Sequence, residues 1–461
     1  MEEKGEAVDK MACVSLENAM RSGTSRGLDF ITLSELTKRT GVSTVDILKW
    51  AVLELLCNSL DKEDSTVINI SVTADGYFDV LTVSDNGSRK ITRKEIEMIL
   101  DFQHKASTKR GFHRVSRGYL GNALKCVFGY SYVLPAYVSN AAKPRPVMIV
   151  SGGFRYTIEL QPDFVREVIN SSITVENVED DGLTTITVSL ARYNFEVGKL
   201  RETIFATSLV NPNRKITYNL FGDEGELGLG DDCPNLRRET SVLWYDCKQF
   251  SDLFSDFVRS VPETKIKEFL PLFRGFTGTI KCNKILKKLN DAGNHNHDSY
   301  ENRSDEFLPT TPIKDFTIDD IHHLYSVMVY EDRSITKPSI PRVLGTVGRD
   351  SLEKFREKMG WRRLRYTAEV GIKRGEYATV EYPFIVELAV FDRKEDDTEG
   401  LKVYQCVNFA ASMEDIFSKI FDVSFWLSSA GISREMAVTV ICHLICPVLK
   451  WLNYGKSGLD E

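Results

Sequence analysis

Residues 51–61, AVLELLCNSLD, constrain this chain more than any other stretch. They set Glu54, Asn58 and Asp61 at i, i+4 and i+7 in an otherwise apolar run. On a helix that spacing stacks all three on one face. Two carboxylates and an amide on a greasy helix cost free energy to bury unless each finds a partner. A nucleotide with Mg²⁺ would supply partners. The amide oxygen of Asn58 suits a hard cation, and Glu54, one turn back, is placed to take a proton from a water. The competing reading is an amphipathic helix whose polar stripe faces solvent.

The neighbouring segments narrow the choice. Residues 67–72 (VINISV) and 78–84 (FDVLTVS) alternate as a strand hairpin turning at Asp75-Gly76. The second strand runs into Asp85-Asn86-Gly87, where a glycine lets backbone approach a ligand closely, although the same triplet is also ordinary turn chemistry. Ser107-Thr108-Lys109 comes next, then SRGYLGNALK over 116–125. Glycines at 118 and 121 ahead of an apolar helical run fit a loop that cradles phosphates at a helix N-terminus. Lys109 and Arg117 supply positive charge there. A basic surface loop is the alternative for each piece alone.

Taken in order, these segments resemble the GHKL (Bergerat) ATPase fold of gyrase, MutL, histidine kinases and topoisomerase VI. The resemblance implies ATP and Mg²⁺ as ligands. It makes Glu54 the base, Asn58 the Mg²⁺ ligand and Asp85 the reader of the adenine amino group. Asp61 matches the motif's last acidic position. Gly87, Ser107, Lys109 and the lid residues Gly118, Gly121, Asn122, Ala123, Leu124 and Lys125 are implied to line the nucleotide. Residues 182–188 (GLTTITV) resemble the later Gly-Thr strand, with Thr185 as the hydroxyl that buttresses the adenine-reading Asp.

Downstream segments resemble the topoisomerase VI B subunit. TSLVNPN at 207–213 with ITY at 216–218 matches its Asn-Pro segment. Residues 251–276 read as a helix, a turn at Pro262-Glu263 and a second helix broken by Pro271, similar to the family's helix-two-turns-helix insert. YPFIVE at 382–387, CVNFA at 406–410, and His443-Leu444 followed by Gly455-Lys456 resemble the transducer strands and final loop. The implied molecule is an ATP-hydrolysing B-type subunit. It would be an ATP-dependent homodimeric clamp on double-stranded DNA, working with a separate DNA-cleaving A-type subunit.

Several departures bear on that. Arg89 stands where the family has a second glycine, and Ala123 where the lid has a third; both remove flexibility at the nucleotide and imply slow turnover. The switch lysine's expected place is Val448, leaving Lys450 or Lys456 to take the role. The chain stops at Glu461, without the long extension of many relatives. These departures, with a net charge of −7, favour a rival: a GHKL nucleotide-gated regulatory protein, for example in a defence complex, without topoisomerase activity. A chaperone-like clamp is a weaker third reading.

The expected class is α+β, divided into an arm (1–25), an ATPase α/β sandwich (26–222), a helical insert (223–290), a loop and linker (291–341) and a transducer-like α/β domain (342–461). Residues 31–49 also read as a DNA-binding helix-turn-helix turning at 40–43. The preferred alternative runs the second helix into the Glu54 helix. A basic run at 361–366 with Lys373-Arg374 is either a DNA-facing patch or a guarded strand edge. The net charge excludes a uniformly basic DNA-coating protein. Nine scattered cysteines suit a reducing cytosol. Cys442 and Cys446 flank His443 but lack the second pair of a zinc site. An acidic start and the want of a long apolar run predict a cytoplasmic chain with no membrane span.

Overall fold

The computed structural model describes residues 21–24, 27–107, 111–116, 123–193, 195–196, 198–230, 239–293, 306–332, 336–375, 380–394, 399–413, 415–416, 423–449 and 451, with backbone alone at 21–24, 104–107, 292–293 and 423–424. In chain order, β1 (Arg21–Thr24) precedes the hairpin of β2 (Val67–Asp75) and β3 (Phe78–Asp85), and β4 (His104–Ser107) returns to pair antiparallel with β1. The end of the expected arm is therefore a strand. The hairpin register sets Asp75 opposite Phe78, so the two-residue turn is Gly76-Tyr77, with Gly76 at φ 57°. That is one residue beyond the expected turn, where the left-handed geometry calls for glycine.

Strands β5 (Val147–Ser151), β6 (Phe154–Asp163), β7 (Val168–Asn177), β8 (Thr184–Ala191), β9 (Lys215–Leu220) and β10 (Asp223–Leu227) extend the hairpin into an eight-stranded sheet of order β10-β9-β2-β3-β8-β5-β6-β7. Its neighbours are antiparallel except β2 and β9. Strand β10 belongs to this sheet, which therefore runs past residue 222 to Leu227.

Helix α1 (Leu33–Thr40) ends at Gly41, in the left-handed region. A 3-10 turn at Thr44–Asp46 then leads straight into α2 (Ile47–Leu60). The helix-turn-helix reading fails for that reason: the would-be recognition helix is the Glu54 helix itself, buried on nearly every side. Leu48, Val52, Leu55 and Leu56 of α2 join the core over the sheet. Leu53 and Cys57 face a second core, shared with the helical insert and the C-terminal domain. A helix apolar all round is what such a two-sided setting requires.

Helix α3 (Arg93–Leu100) starts with a Thr92/Glu95 capping box. Helix α4 (Ala123–Val133) packs so closely on the 3-10 turn Gly27–Ile31 that a Cβ at Gly129 would run into the Phe30 carbonyl oxygen. Helix α5 (Gly198–Leu209) leads to the Asn-Pro segment. The insert comprises α6 (Cys247–Ser260), a short helix at Ile266–Phe269 continued as a 3-10 turn through Pro271, α7 (Thr279–Gly293) and α8 (Ile318–Glu331). Phe250, Phe254, Phe257, Phe269 and Phe273 interlock at its centre with ring centroids 4.8–6.4 Å apart.

After α9 (Arg349–Met359), strands β11 (Arg363–Arg374), β12 (Glu381–Asp392), β13 (Lys402–Val407), β14 (Ala410–Ala411) and β15 (Val438–Ile445) form a five-stranded sheet, order β11-β12-β15-β13-β14. The basic run lies on the edge strand β11. Arg363, Arg365, Lys373 and Arg374 are exposed, while Tyr366 turns toward the core. Among the described residues no helix is long and apolar enough to cross a membrane.

Candidate functional site

The end of α2 and the end of β3 meet at Asp85. Its carboxylate is 3% exposed. Oδ1 accepts from Lys62 Nζ at 2.8 Å and from the Gly87 N–H at 3.0 Å. Among the described residues Oδ2 has no partner. Lys62 lies at i+4 from Asn58 and i+8 from Glu54, just past the helix end, so it prolongs the same stripe. Its backbone is held in place: the guanidinium of buried Arg214 donates to the carbonyls of Lys62 (3.2 Å) and Glu63 (2.9 Å). Burial pulls the Lys62 ammonium below its ordinary pKa, and its bond to Asp85 opposes that pull.

Gly87 is required by this packing. A Cβ there would come within 2.5 Å of Lys62 Cδ and 3.0 Å of Asp85 Oδ1. Asn86 is structural, accepting from the N–H groups of Thr66 (2.9 Å) and Val67 (3.0 Å) and so pinning the loop to the start of β2. The neighbouring charges have partners of their own. Arg89 pairs with Glu95 at 2.7 Å, Lys90 donates to the carbonyls of Gly87 and Gly182, and Asp64 accepts from the Ser88 N–H.

Along α2, Glu54 is 2% exposed and engaged by a polar neighbour. Asn58 differs: its side chain makes no hydrogen bond among the described residues, and its Nδ2 is buried. A buried amide left unspent is costly, so Asn58 fits a ligand such as Mg²⁺, since exchanging the amide atoms turns the oxygen to the same place. Asp61 caps the helix, its N–H on the Cys57 carbonyl at 3.0 Å.

Other expected residues fall differently. The β3–β8 register sets Asp85 opposite Thr184 and Ser84 opposite Thr185. Cross-strand partners share a face, so the hydroxyl beside Asp85 is that of buried Thr184, and Thr185 points to the other side. Thr184 Oγ1 lies 3.3 Å from Ser151 Oγ, which accepts from the Ile91 N–H at 2.8 Å. Lys125 is turned inward from the first turn of α4. Its ammonium donates to the Asp101 carbonyl near the Phe102 ring, and burial lowers its pKa to about 8. That makes Lys125 a structural post rather than a phosphate ligand. Ala123 opens α4, Leu124 is half-buried against the sheet core, and Ser107 ends β4. Lys109, Gly118, Gly121, Asn122, Lys450 and Lys456 lie outside the described residues.

A second cluster joins Ser116 to the C-terminal sheet. Asn408 and Phe409, between β13 and β14, both have left-handed backbone, φ 46° and 63°. Asn408 Nδ2 donates to the carbonyls of Ser116 (3.1 Å) and Cys446 (2.8 Å), and its Oδ1 accepts from the Cys446 N–H at 2.9 Å. Asn211 of the Asn-Pro segment donates to the carbonyls of Phe409 and Thr207, each at 2.7 Å. The Phe409 N–H in turn donates to His443 Nε2 at 3.0 Å, which leaves the ring proton on Nδ1, 2.9 Å from Glu387 Oε2.

No family model and no curated protein matches the chain. Solved structures that align with it include the ATPase region of Saccharomyces cerevisiae topoisomerase II, 10% identical, over 90% of this chain and 76% of that one at a TM-score of 0.37. The same region bound to ICRF-187 (dexrazoxane) is 12% identical, over 90% and 78%, at 0.36. The topoisomerase IV ATP-binding domain of Francisella tularensis, in complex with a small-molecule inhibitor, is 10% identical, over 96% and 87%, at 0.35. At these scores the likeness assigns no family, and the site is read from its own geometry.

Proposed function

We propose that this chain binds and hydrolyses ATP as a GHKL-type, nucleotide-gated clamp. The observation that carries the reading is an unspent carboxylate oxygen on buried Asp85, which Lys62 ties to the end of the helix that bears buried Glu54 and the unpartnered Asn58 amide. A base amine bonds to Asp85, and Glu54 orients and deprotonates the attacking water. Mg²⁺, held by Asn58, would draw charge off the phosphates. The Asn408 bridge between Ser116 and Cys446 gives lid closure a direct route to the C-terminal sheet.

Asp85→Asn tests the reading. It removes the charge that holds both the base amine and Lys62, and is expected to weaken ATP binding by roughly 10- to 100-fold. Unchanged affinity by calorimetry would take Asp85 out of the site. A non-hydrolysable ATP analogue is expected to shift the chain from monomer toward dimer in sedimentation; an identical distribution with and without it would end the clamp model.

The finer role we assign is the B-type subunit of a topoisomerase VI-like complex, with the exposed arginines and lysine of β11 turned to double-stranded DNA. A regulatory protein without topoisomerase activity is the second reading. It is favoured by the ties of Arg89 to Glu95 and Lys62 to Asp85, which stiffen the nucleotide end and slow exchange. Relaxation of supercoiled DNA with an A-type subunit added supports the first; ATP turnover without it supports the second.

A further inference from the structure

We propose that Lys62 is a specificity residue of the base site: its ammonium donates to N1 of the adenine whose amine Asp85 accepts, and the pair shuts out guanine. This rests on the reading of Asp85 as the base-reading carboxylate of a nucleotide site. Two bonds fix which side of Asp85 is open. Lys62 Nζ, at 2.8 Å, and the Gly87 N–H, at 3.0 Å, both bond to Oδ1, and among the described residues Oδ2 has no partner. An ammonium carries three donors. Among the described residues only Asp85 accepts from this one, which leaves two. The lysine is also held in place. Arg214 donates to its carbonyl, its stem lies so close to Gly87 that a Cβ there would come within 2.5 Å of Lys62 Cδ, and its side chain is 14% exposed. A donor in such a half-dry setting bonds more strongly than one in open water. Arg89 and Lys90 keep N–H donors too, but Arg89 is turned to Glu95 and Lys90 to the carbonyls of Gly87 and Gly182. Of the three cations, Lys62 is the one bonded to Asp85.

The pair is an acceptor with a cationic donor at its side. Along the edge from C6 to N1, adenine presents a donor and then an acceptor, its amine and N1. Guanine presents the reverse, O6 and then N1–H. With the sugar on one fixed side, adenine sets its amine on Oδ2 and N1 toward the ammonium. Guanine would set O6 against the carboxylate and N1–H against the ammonium. The carboxylate alone rejects O6. The lysine adds a charge-assisted bond to adenine N1, worth roughly 10- to 100-fold in affinity, and makes the guanine N1–H a second clash.

The test is calorimetry on the full chain with Mg²⁺ and ATP, 1-deaza-ATP or ITP. The deaza analogue keeps the amine and carries C–H in place of N1. ITP carries the guanine pattern on this edge without the 2-amino group. Wild type is expected to bind 1-deaza-ATP about 10- to 100-fold more weakly than ATP, and ITP more weakly still. Lys62→Met is expected to bring ATP and 1-deaza-ATP within about 3-fold of each other by weakening ATP, whereas Lys90→Met keeps the wild-type gap. Wild type that binds ATP and 1-deaza-ATP equally overturns the Lys62 inference and leaves the ATP site standing. Equal losses of the two in Lys62→Met, or a gap that closes in Lys90→Met instead, also overturn it, and the lysine is then a structural prop or a phosphate ligand. If no nucleotide binds wild type, the nucleotide-site reading falls, and this inference with it. Should Lys62→Met fail to fold, Lys62→Gln, whose amide donates without a charge, is expected to narrow the gap, and an unchanged gap overturns the inference.

Discussion

Replacing Glu54 by Ala is expected to lower ATP turnover by about 10²- to 10⁴-fold while ATP still binds. The carboxylate sits one helical turn from Asn58 on a helix held by cores on both sides, so its position is set by packing rather than by solvent. Removing it takes away the group that orients and deprotonates water and leaves Asp85, Lys62 and Asn58 untouched. Glu54→Gln separates charge from shape, because it keeps the volume and loses the base; it is expected to be as slow as Ala and to fold like wild type. Phosphate release under single-turnover conditions, beside calorimetry with ATP, makes the comparison. Undiminished turnover in Glu54→Gln would remove Glu54 from the chemistry and leave its buried charge a structural matter.

Local periodicity explains what is legible in the chain. The 3.6-residue stripe of α2 and the two-residue alternation of β2 and β3 are properties of neighbours in sequence, and both elements form where expected. The α+β class and the break at Pro271 follow from the same kind of signal. Register is a different matter. A shift of one residue exchanges the faces of a strand, and composition does not distinguish Thr184 from Thr185, so the hydroxyl beside Asp85 emerges only from strand pairing. Lys62 escapes a reading of the sequence because a lysine in an acidic turn, Asp61 to Asp64, looks like solvated surface. Its one signal is the i+4 spacing from Asn58, which extends the stripe beyond the helix end. The Asn408 bridge has no such signal. It spans 292 residues to Ser116, and left-handed backbone at an Asn-Phe pair has no sequence signature comparable to glycine's.

The second large effect is expected at Glu387, 3% exposed at the centre of the C-terminal sheet. Its carboxylate accepts from Tyr366 Oη (2.5 Å), His443 Nδ1 (2.9 Å) and the N–H groups of Val347 and Gly348 (3.2 Å each). Burial raises its pKa, but the His443, Tyr366 and Gly348 bonds outweigh that and hold it below the ordinary value. Glu387→Ala strands these buried donors and is expected to cost about 3–5 kcal/mol, read as a lower urea midpoint. The pH dependence follows from the direction of the shift. A depressed carboxyl stabilises the fold above its unfolded pKa, and that contribution disappears as pH falls through the folded value. The gap between wild type and Glu387→Ala should therefore be full at neutral pH and close in acid; a gap that holds constant into acid would mean the charge contributes nothing. The same variant tests the proposed coupling between the nucleotide site and the C-terminal sheet. His443 holds the Phe409 N–H, and Phe409 adjoins the Asn408 bridge to Ser116. Loosening Glu387 should therefore spare ATP binding at the far site while weakening the dimerisation that a non-hydrolysable analogue induces, and dimerisation at wild-type strength would cut this network out of the coupling.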